Sequence, residues 1–233
     1  MSMNTTKSND IAKQAAGKAA VELIQNDMLI GLGTGSTAFF FIQSLIERCR
    51  TTNLKIAAVA TSQRSADQAQ AGGITMYDIN KVTTLDLTVD GADEIDHQKR
   101  MIKGGGGALL REKIIASSSR EMIVIVDESK VVDRLGTFPL PVEVVPFAHE
   151  LTHYRLGKLG YQGTFRRTAK GEMYITDNGN YIIDIVFSQG CPKPESDYAA
   201  IRSIPGVVEI GFFFNLAGRV FVGYNDGQVK LWA

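Results

Sequence analysis

Along the first 127 residues, short apolar runs alternate with segments whose apolar residues recur at helical spacing. The runs MLIGLG, KIAAVAT, ITMYD, LDLTV and EMIVIVD each have the length and composition of a buried strand. The segment 10–24 carries Ile11, Ala15, Ala19 and Leu23 on one helical face, and AFFFIQSLIERC, SADQAQAGG and residues 108–118 read as further helices. Strands that alternate with helices need crossover connections, which build a parallel sheet covered on both faces. The expectation is an α/β, Rossmann-like parallel sheet with helices on both faces. Ligands in such sheets sit at the carboxyl ends of the strands.

From about residue 136 the rhythm changes. PVEVVPF reads as a strand, AHELTHYRLGKLG as a helix, and FRRT and MYITD as strands; Asp177-Asn178-Gly179-Asn180 is a hairpin signal before YIIDIVF. A helix SDYAAIRSI and a strand VVEIGFFF complete a β-α-β-β-α-β order, the ferredoxin-like arrangement. The C-terminal run GRVFVGYNDGQVKLWA is expected to return to the first sheet. The second unit is then a smaller α+β insertion, residues 136–213, within a catalytic domain of residues 1–135 and 214–233.

Lys plus Arg is 25 and Asp plus Glu is 25. Without net charge the chain has no field that would draw it to nucleic acid or an anionic membrane. Cys49 and Cys191 are far apart, the first dozen residues are polar, and the apolar stretch 28–42 is short and broken by glycines. These features point to a cytoplasmic protein with neither disulfides nor a membrane span. The polar segment before Ile11 is expected to lack structure.

Three clusters fall where strands end. The first is Gly31 to Thr37, in which Gly33 and Gly35 let the backbone approach a ligand, Thr34, Ser36 and Thr37 add hydroxyls, and a helix begins. A helix N-terminus with such a loop suits a phosphate. A dinucleotide site fits less well, since the third glycine of G-x-G-x-x-G falls at Ser36 and the next strand ends in Thr61-Ser62-Gln63 without a ribose-binding carboxylate. A P-loop lysine is also missing. The second cluster is Asp90-Gly91-Ala92-Asp93-Glu94, whose paired carboxylates can hold sugar hydroxyls or move protons. The third runs Lys103-Gly104-Gly105-Gly106-Gly107 into a helix that carries Glu112. Four glycines in a row cost conformational entropy, which implies that the backbone lies close to something. Lys103 is a cation for a phosphate or an enediolate, and Glu112 a candidate base. Lys130, after the fifth strand, and Lys13, on the first helix, are further candidates for an anionic substrate.

His149-Glu150-Leu151-Thr152-His153 fits the H-E-x-x-H spacing of zinc peptidases. The extension that would supply a third ligand fails, since Leu156 and Leu159 stand at the required Gly and His positions. No metal and no cofactor are expected.

G-T-G-S-T at 33–37, D-G-A-D-E at 90–94, K-G-G-G-G-A-L at 103–109 with R-E-K at 111–113, and F-P-L-P-V-E-V at 138–144 occur in this order. Together they resemble the type A ribose-5-phosphate isomerases, from about residue 11 to the C-terminus. The resemblance implies interconversion of D-ribose 5-phosphate and D-ribulose 5-phosphate in the non-oxidative pentose phosphate pathway, without a metal. It implies that Glu112 is the proton acceptor. Substrate contacts would come from Thr34, Gly35, Ser36 and Thr37, from Asp90, Gly91, Ala92 and Asp93, from Lys103, Gly104, Gly105 and Gly106, and from Lys130. It further implies a homodimer or homotetramer. A sugar-phosphate-sensing domain, or a hexosamine-phosphate deaminase or lactonase, would share the loops; the enzymes among them would be expected to place a histidine near the glycines, and none is there.

Overall fold

A computed structural model describes residues 3–233, with side chains from Asn9 onward. The chain opens with α1 (Met3–Val21), β1 (Leu29–Leu32), α2 (Ser36–Thr52), β2 (Ala57–Ala60), α3 (Gln63–Ala71), β3 (Thr75–Met76) and β4 (Leu87–Asp90). Two short strands follow, β5 (Glu94–Ile95) and β6 (Met101–Ile102), then α4 (Leu109–Ser117) and β7 (Met122–Asp127). Next come β8 (Leu140–Val144), α5 (His149–Lys158), β9 (Gly163–Phe165), β10 (Tyr181–Ile185), α6 (Pro194–Arg202), β11 (Val207–Ile210) and β12 (Phe212–Phe213). The chain ends with β13 (Ala217–Gly223) and β14 (Val229–Trp232). The segment expected to lack structure instead continues α1 back to Met3, because its polar residues prolong a helix that Ala12, Ala16 and Ala20 anchor; the buried face lies one position on from the expected Ile11, Ala15 and Ala19, and Ile11 is exposed. Met1 and Ser2 lie outside the described residues.

Two compact units emerge. The first comprises Met1–Ala92, Arg111–Val131 and Leu216–Ala233; the second comprises Asp93–Leu110 and Val132–Asn215. The expected boundaries put 93–110 with the first sheet. The structure groups it with the second unit, because β6 pairs with β12 and with β5 in a separate three-stranded sheet.

The first unit is a seven-stranded sheet in the order β14-β13-β7-β4-β1-β2-β3, parallel except for the edge strand β14. β4 and β7 are buried along their whole length, which is why they read as continuous apolar runs rather than alternating ones. The core joins Ile30, Leu32, Val89, Ile123 and Ile125 of the sheet to Phe41, Ile42 and Leu45 of α2 and Ala16 and Ala20 of α1. Close approach is built in where α1 crosses: a Cβ on Gly223 would lie 1.9 Å from the carbonyl oxygen of Ala12.

The second unit holds an antiparallel sheet in the order β11-β8-β10-β9, the ferredoxin-like β-α-β-β-α-β arrangement. Its core gathers Leu140, Val142 and Val144 with Ile183, Ile185, Leu156, Ile201 and Phe212. MYITD, which alternates like a strand, is not one: only Met173 bridges, to Arg167. The segment instead turns back along the chain that leaves β9, with the Thr168 amide donating to the Glu172 carbonyl at 2.9 Å and the Tyr174 amide to the Arg166 carbonyl at 3.0 Å. The turn that follows is a tight one, with Gly179 at φ 77°. It is braced by the buried carboxylate of Glu143, whose Oε1 accepts from Thr176 Oγ1 at 2.9 Å, Asn178 Nδ2 at 3.1 Å and Asn180 Nδ2 at 2.9 Å.

Candidate active site

In the first unit, parallel pairing of β1 with β4 sets Leu32 beside Val89, so the loop after β1 meets the end of β4. The Thr34 amide donates to Asp90 Oδ1 at 3.1 Å, and the Gly91 amide donates to the same oxygen at 2.7 Å. Asp90 is fully buried. The fit leaves no space for a side chain at Gly33, where a Cβ would lie 2.1 Å from Asp90 Oδ1. Gly35, at φ 111° and ψ −177°, takes a conformation essentially reserved for glycine and starts α2. Ser36 is exposed and Thr37 buried in the first turn of that helix, where free amides and the dipole favour an anion.

A chain of hydroxyls holds this loop from below. Thr34 Oγ1 donates to Ser62 Oγ at 2.8 Å and meets Thr61 Oγ1 at 2.6 Å, while Ser65 Oγ donates to the Gly33 carbonyl at 2.7 Å. Thr61, Ser62 and Ser65 are buried. In sequence, the segment after β2 attracts notice only for lacking a carboxylate. Its S-x-x-S spacing is the signal that was there to read, with Ser62 capping α3 by accepting from the Ser65 amide.

Glu112 lies in the first turn of α4 and is 3% exposed. It shares the buried face with Ala108, Leu109, Ile115 and Ala116, while Ile114 and Ser117 face solvent. Ile115 packs with Val59 and Leu85 against the first sheet, which fixes the rotation of the helix and hence the inward direction of Glu112. Lys130 closes a 3-10 turn after β7, capped by Asp127, whose Oδ1 accepts from the Ser129 amide at 3.0 Å. Lys13 is next to Ala12, whose carbonyl abuts Gly223 at the carboxyl end of β13; its Nζ stands 3.9 Å from Asp10 Oδ1.

In the second unit, β5 and β6 pair with Glu94 opposite Ile102. This short hairpin puts the end of D-G-A-D-E beside the start of the glycine run. The Asp93 amide donates to the Ile102 carbonyl at 2.9 Å, and the Gly105 amide donates to Asp93 Oδ2 at 2.7 Å. A Cβ on Gly105 would lie 2.5 Å from Asp93 Oδ1, and Gly104 stands at φ 103°. Gly105 and Gly106 are exposed, and Gly104 is buried. Lys103, at the end of β6, is 2% exposed, its amide donates to the Gly211 carbonyl at 2.8 Å, and its Nζ lies 5.5 Å from the centroid of the Phe213 ring. Glu94 staples the next loop by accepting from the Gly136 amide at 2.7 Å and the Phe138 amide at 2.5 Å.

The sequence-expected residues thus fall into two groups. Gly33 to Thr37 and Asp90 to Ala92 come together in the first unit, which also carries Glu112, Lys130 and Lys13. Asp93, Lys103 and Gly104 to Gly106 come together in the second. Asp90 closes one group and Asp93, three residues on, opens the other.

The H-E-x-x-H segment serves packing. His149 Nδ1 is 2.8 Å from the Pro146 carbonyl and His153 Nε2 is 2.8 Å from the Gly163 carbonyl, with both rings edge-on to Phe165. Carbonyl oxygens at those distances take a ring N–H, so one nitrogen of each ring is engaged in a backbone bond.

A doubly wound sheet with glycine-lined loops and buried carboxylates at the ends of its strands defines an α/β enzyme equipped for proton transfer on a small anionic substrate. Residues 57–227 match the model of ribose 5-phosphate isomerase A (phosphoriboisomerase A). The ribose-5-phosphate isomerase A of Protochlamydia amoebophila is 50% identical over 98% of this chain and 100% of its own length. The ribose 5-phosphate isomerase A structure from Methanocaldococcus jannaschii superposes with a TM-score of 0.90 at 38% identity, covering 96% of this chain and 99% of that one. A D-ribose-5-phosphate isomerase structure in complex with phospho-erythronic acid gives a TM-score of 0.89 at 38% identity, covering 95% and 97%. The chain belongs to the ribose 5-phosphate isomerase A family.

Proposed function

We propose that this enzyme interconverts D-ribose 5-phosphate and D-ribulose 5-phosphate through a cis-enediol, with the Glu112 carboxylate carrying the proton between carbon 2 and carbon 1. The observation that carries this assignment is a carboxylate 3% exposed in the first turn of α4, on a face held inward by Ile115. A positioned carboxylate contributes about 10²–10⁴-fold. Glu112 takes the carbon-2 proton, the electron pair forms the carbon 1–carbon 2 double bond, and negative charge moves onto the carbonyl oxygen. Lys103 stabilises that oxygen as enediolate; reprotonation at carbon 1 and transfer of the carbon-2 hydroxyl proton to the carbon-1 oxygen complete the ketose. Aldose and ketose are isomers, so the step needs no electron acceptor.

Asp90 and Asp93 hold hydroxyls and assist ring opening. Thr34, Gly35, Ser36 and Thr37 take the phosphate at the start of α2, and Gly91, Ala92, Gly104, Gly105, Gly106, Lys130 and Lys13 complete the contacts. The phospho-erythronic acid bound by a relative supports this chemistry, since a phosphorylated polyol ending in a planar carboxylate mimics a phosphorylated enediolate. The enzyme acts in the non-oxidative pentose phosphate pathway, in the cytoplasm, as a homodimer or homotetramer. Two free cysteines suit a reducing compartment, and no helix among the described residues is long and apolar enough to cross a membrane. The test is turnover of ribose 5-phosphate by the purified chain with excess EDTA. Formation of ribulose 5-phosphate is expected; absence of turnover on this substrate, with turnover of another sugar phosphate, overturns the assignment.

A further inference from the structure

The glycine run after β6 is gripped from one side by residues that none of the steps above uses. Arg166, directly after β9, spends two donors on Asp184 of β10: Nε donates to Oδ2 at 2.9 Å and Nη2 to Oδ1 at 2.5 Å. Its Nη1 donates to the Gly104 carbonyl at 2.9 Å and to the Gly105 carbonyl at 3.1 Å. Tyr174, whose amide donates to the Arg166 carbonyl at 3.0 Å, sends its hydroxyl to the Gly106 carbonyl at 3.3 Å, with the guanidinium 5.8 Å from its ring centroid. Three successive carbonyls are therefore drawn toward one guanidinium–phenol pair.

A trans peptide points its N–H opposite to its C=O. With the Gly104 and Gly105 carbonyls turned to Arg166, the amides of Gly105 and Gly106 face the other way. The Gly105 amide does so, donating to Asp93 Oδ2 at 2.7 Å. The glycine strip is a plate between a guanidinium and a carboxylate, and it is thin because side chains would not fit: a Cβ on Gly105 would lie 2.5 Å from Asp93 Oδ1, and one on Gly107 would lie 2.2 Å from Tyr174 Oη. Burial pushes the Tyr174 phenol up from its ordinary value, so it stays a donor.

On the isomerase function proposed above, we infer that Arg166, anchored by Asp184 and assisted by Tyr174, is a positioning residue for this reaction: it fixes the peptide planes of Gly104 to Gly106 and, through the Gly105 amide, the carboxylate of Asp93. The planar fork is essential to the task, since four bonds leave one group in fixed directions; a lysine offers a point charge and cannot reproduce them. The Arg166–Asp184 pair also staples β9 to β10, so loss of the arginine can act through the fold alone, and the test must separate the two.

The experiment compares wild type, Arg166→Ala and Arg166→Lys in turnover of ribose 5-phosphate, with thermal midpoints and with guanidinium ion added at sub-denaturing concentration. The expected result is a fall in kcat of roughly 10- to 100-fold in Arg166→Ala, with KM moved far less, and partial recovery of kcat on addition of guanidinium ion. A folded Arg166→Ala with wild-type kcat overturns the inference, as does a loss of kcat that guanidinium ion leaves untouched while the thermal midpoint falls in step. If Arg166→Ala does not fold, Arg166→Lys decides: lowered kcat at a retained midpoint supports the inference, and wild-type kcat overturns it. A wild type inactive on ribose 5-phosphate would instead overturn the functional assignment, a distinct failure.

Discussion

A single methyl group at Gly33 provides a sharp test of the first half of the site. Gly33 is buried against Asp90, and a Cβ there would lie 2.1 Å from Oδ1, 2.2 Å from Cγ and 2.6 Å from Cα. Ordinary contact begins at 3.4 Å, so the nearest approach falls roughly 1.3 Å short of it. The Cα of Asp90 belongs to β4, held between β1 and β7, and cannot withdraw. The loop must lift instead, which breaks the Thr34 amide bond to Asp90. Overpacking of this kind costs about 1–3 kcal/mol in stability, and misplacement of a reacting or binding group by about 1 Å costs up to about 10²-fold in rate. Gly35→Ala is the control. No heavy atom lies within 4 Å of its Cβ, so only its φ of 111° resists, at about 1–3 kcal/mol. The assay is formation of ribulose 5-phosphate, alongside urea denaturation of both variants. Gly33→Ala is expected to lose kcat, and Gly35→Ala to raise KM through the phosphate loop at a similar cost in stability. Wild-type kcat and an unchanged denaturation midpoint in Gly33→Ala would refute the packing analysis and the assignment of Asp90 together.

Two more perturbations bear on the account. Lys103→Met removes a buried cation while keeping most of its volume, so the protein is expected to stay folded and to lose roughly 10²-fold in kcat; unchanged kcat would remove Lys103 from enediolate stabilisation. The Cys191 thiol is pushed up to about 12 by burial first, then by its 2.9 Å hydrogen bond to Asp197. A folded-state value above the ordinary 9.0 means its stabilising contribution is complete below pH 9 and is lost as pH rises through about 12. Over that window wild type is expected to lose stability with pH more steeply than Cys191→Ala, by up to about 1.4 kcal/mol per pH unit; equal slopes would refute the burial effect.

Much of the first unit is legible in the sequence because its physics is local. Buried parallel strands read as apolar runs, and the loops after them announce themselves by glycine and hydroxyl residues, as at Gly33 to Thr37. The second and third clusters are legible as clusters that serve one ligand, but the contact that joins them is not. β5 and β6 have two residues each, too few for any periodicity, and it is their pairing that puts Asp93 beside Gly105. Arg166, Asp184 and Tyr174 carry no local signal either, since 62 residues separate Arg166 from the Gly104 carbonyl it holds. MYITD alternates like a strand but makes a single bridge, Met173 to Arg167, beside the chain that leaves β9. Thr61, Ser62 and Ser65 carry no local signal of their role, since 27 to 32 residues separate them from the Thr34 hydroxyl and Gly33 carbonyl they bond.

Whether the Glu112 carboxylate moves the proton can be read from hydrogen exchange in D2O. Wild type is expected to place solvent deuterium at carbon 1 of ribulose 5-phosphate during turnover, with Glu112→Gln still binding ribose 5-phosphate in a calorimeter but losing both exchange and turnover by about 10²-fold or more. Exchange and turnover in Glu112→Gln at the wild-type rate would contradict that role.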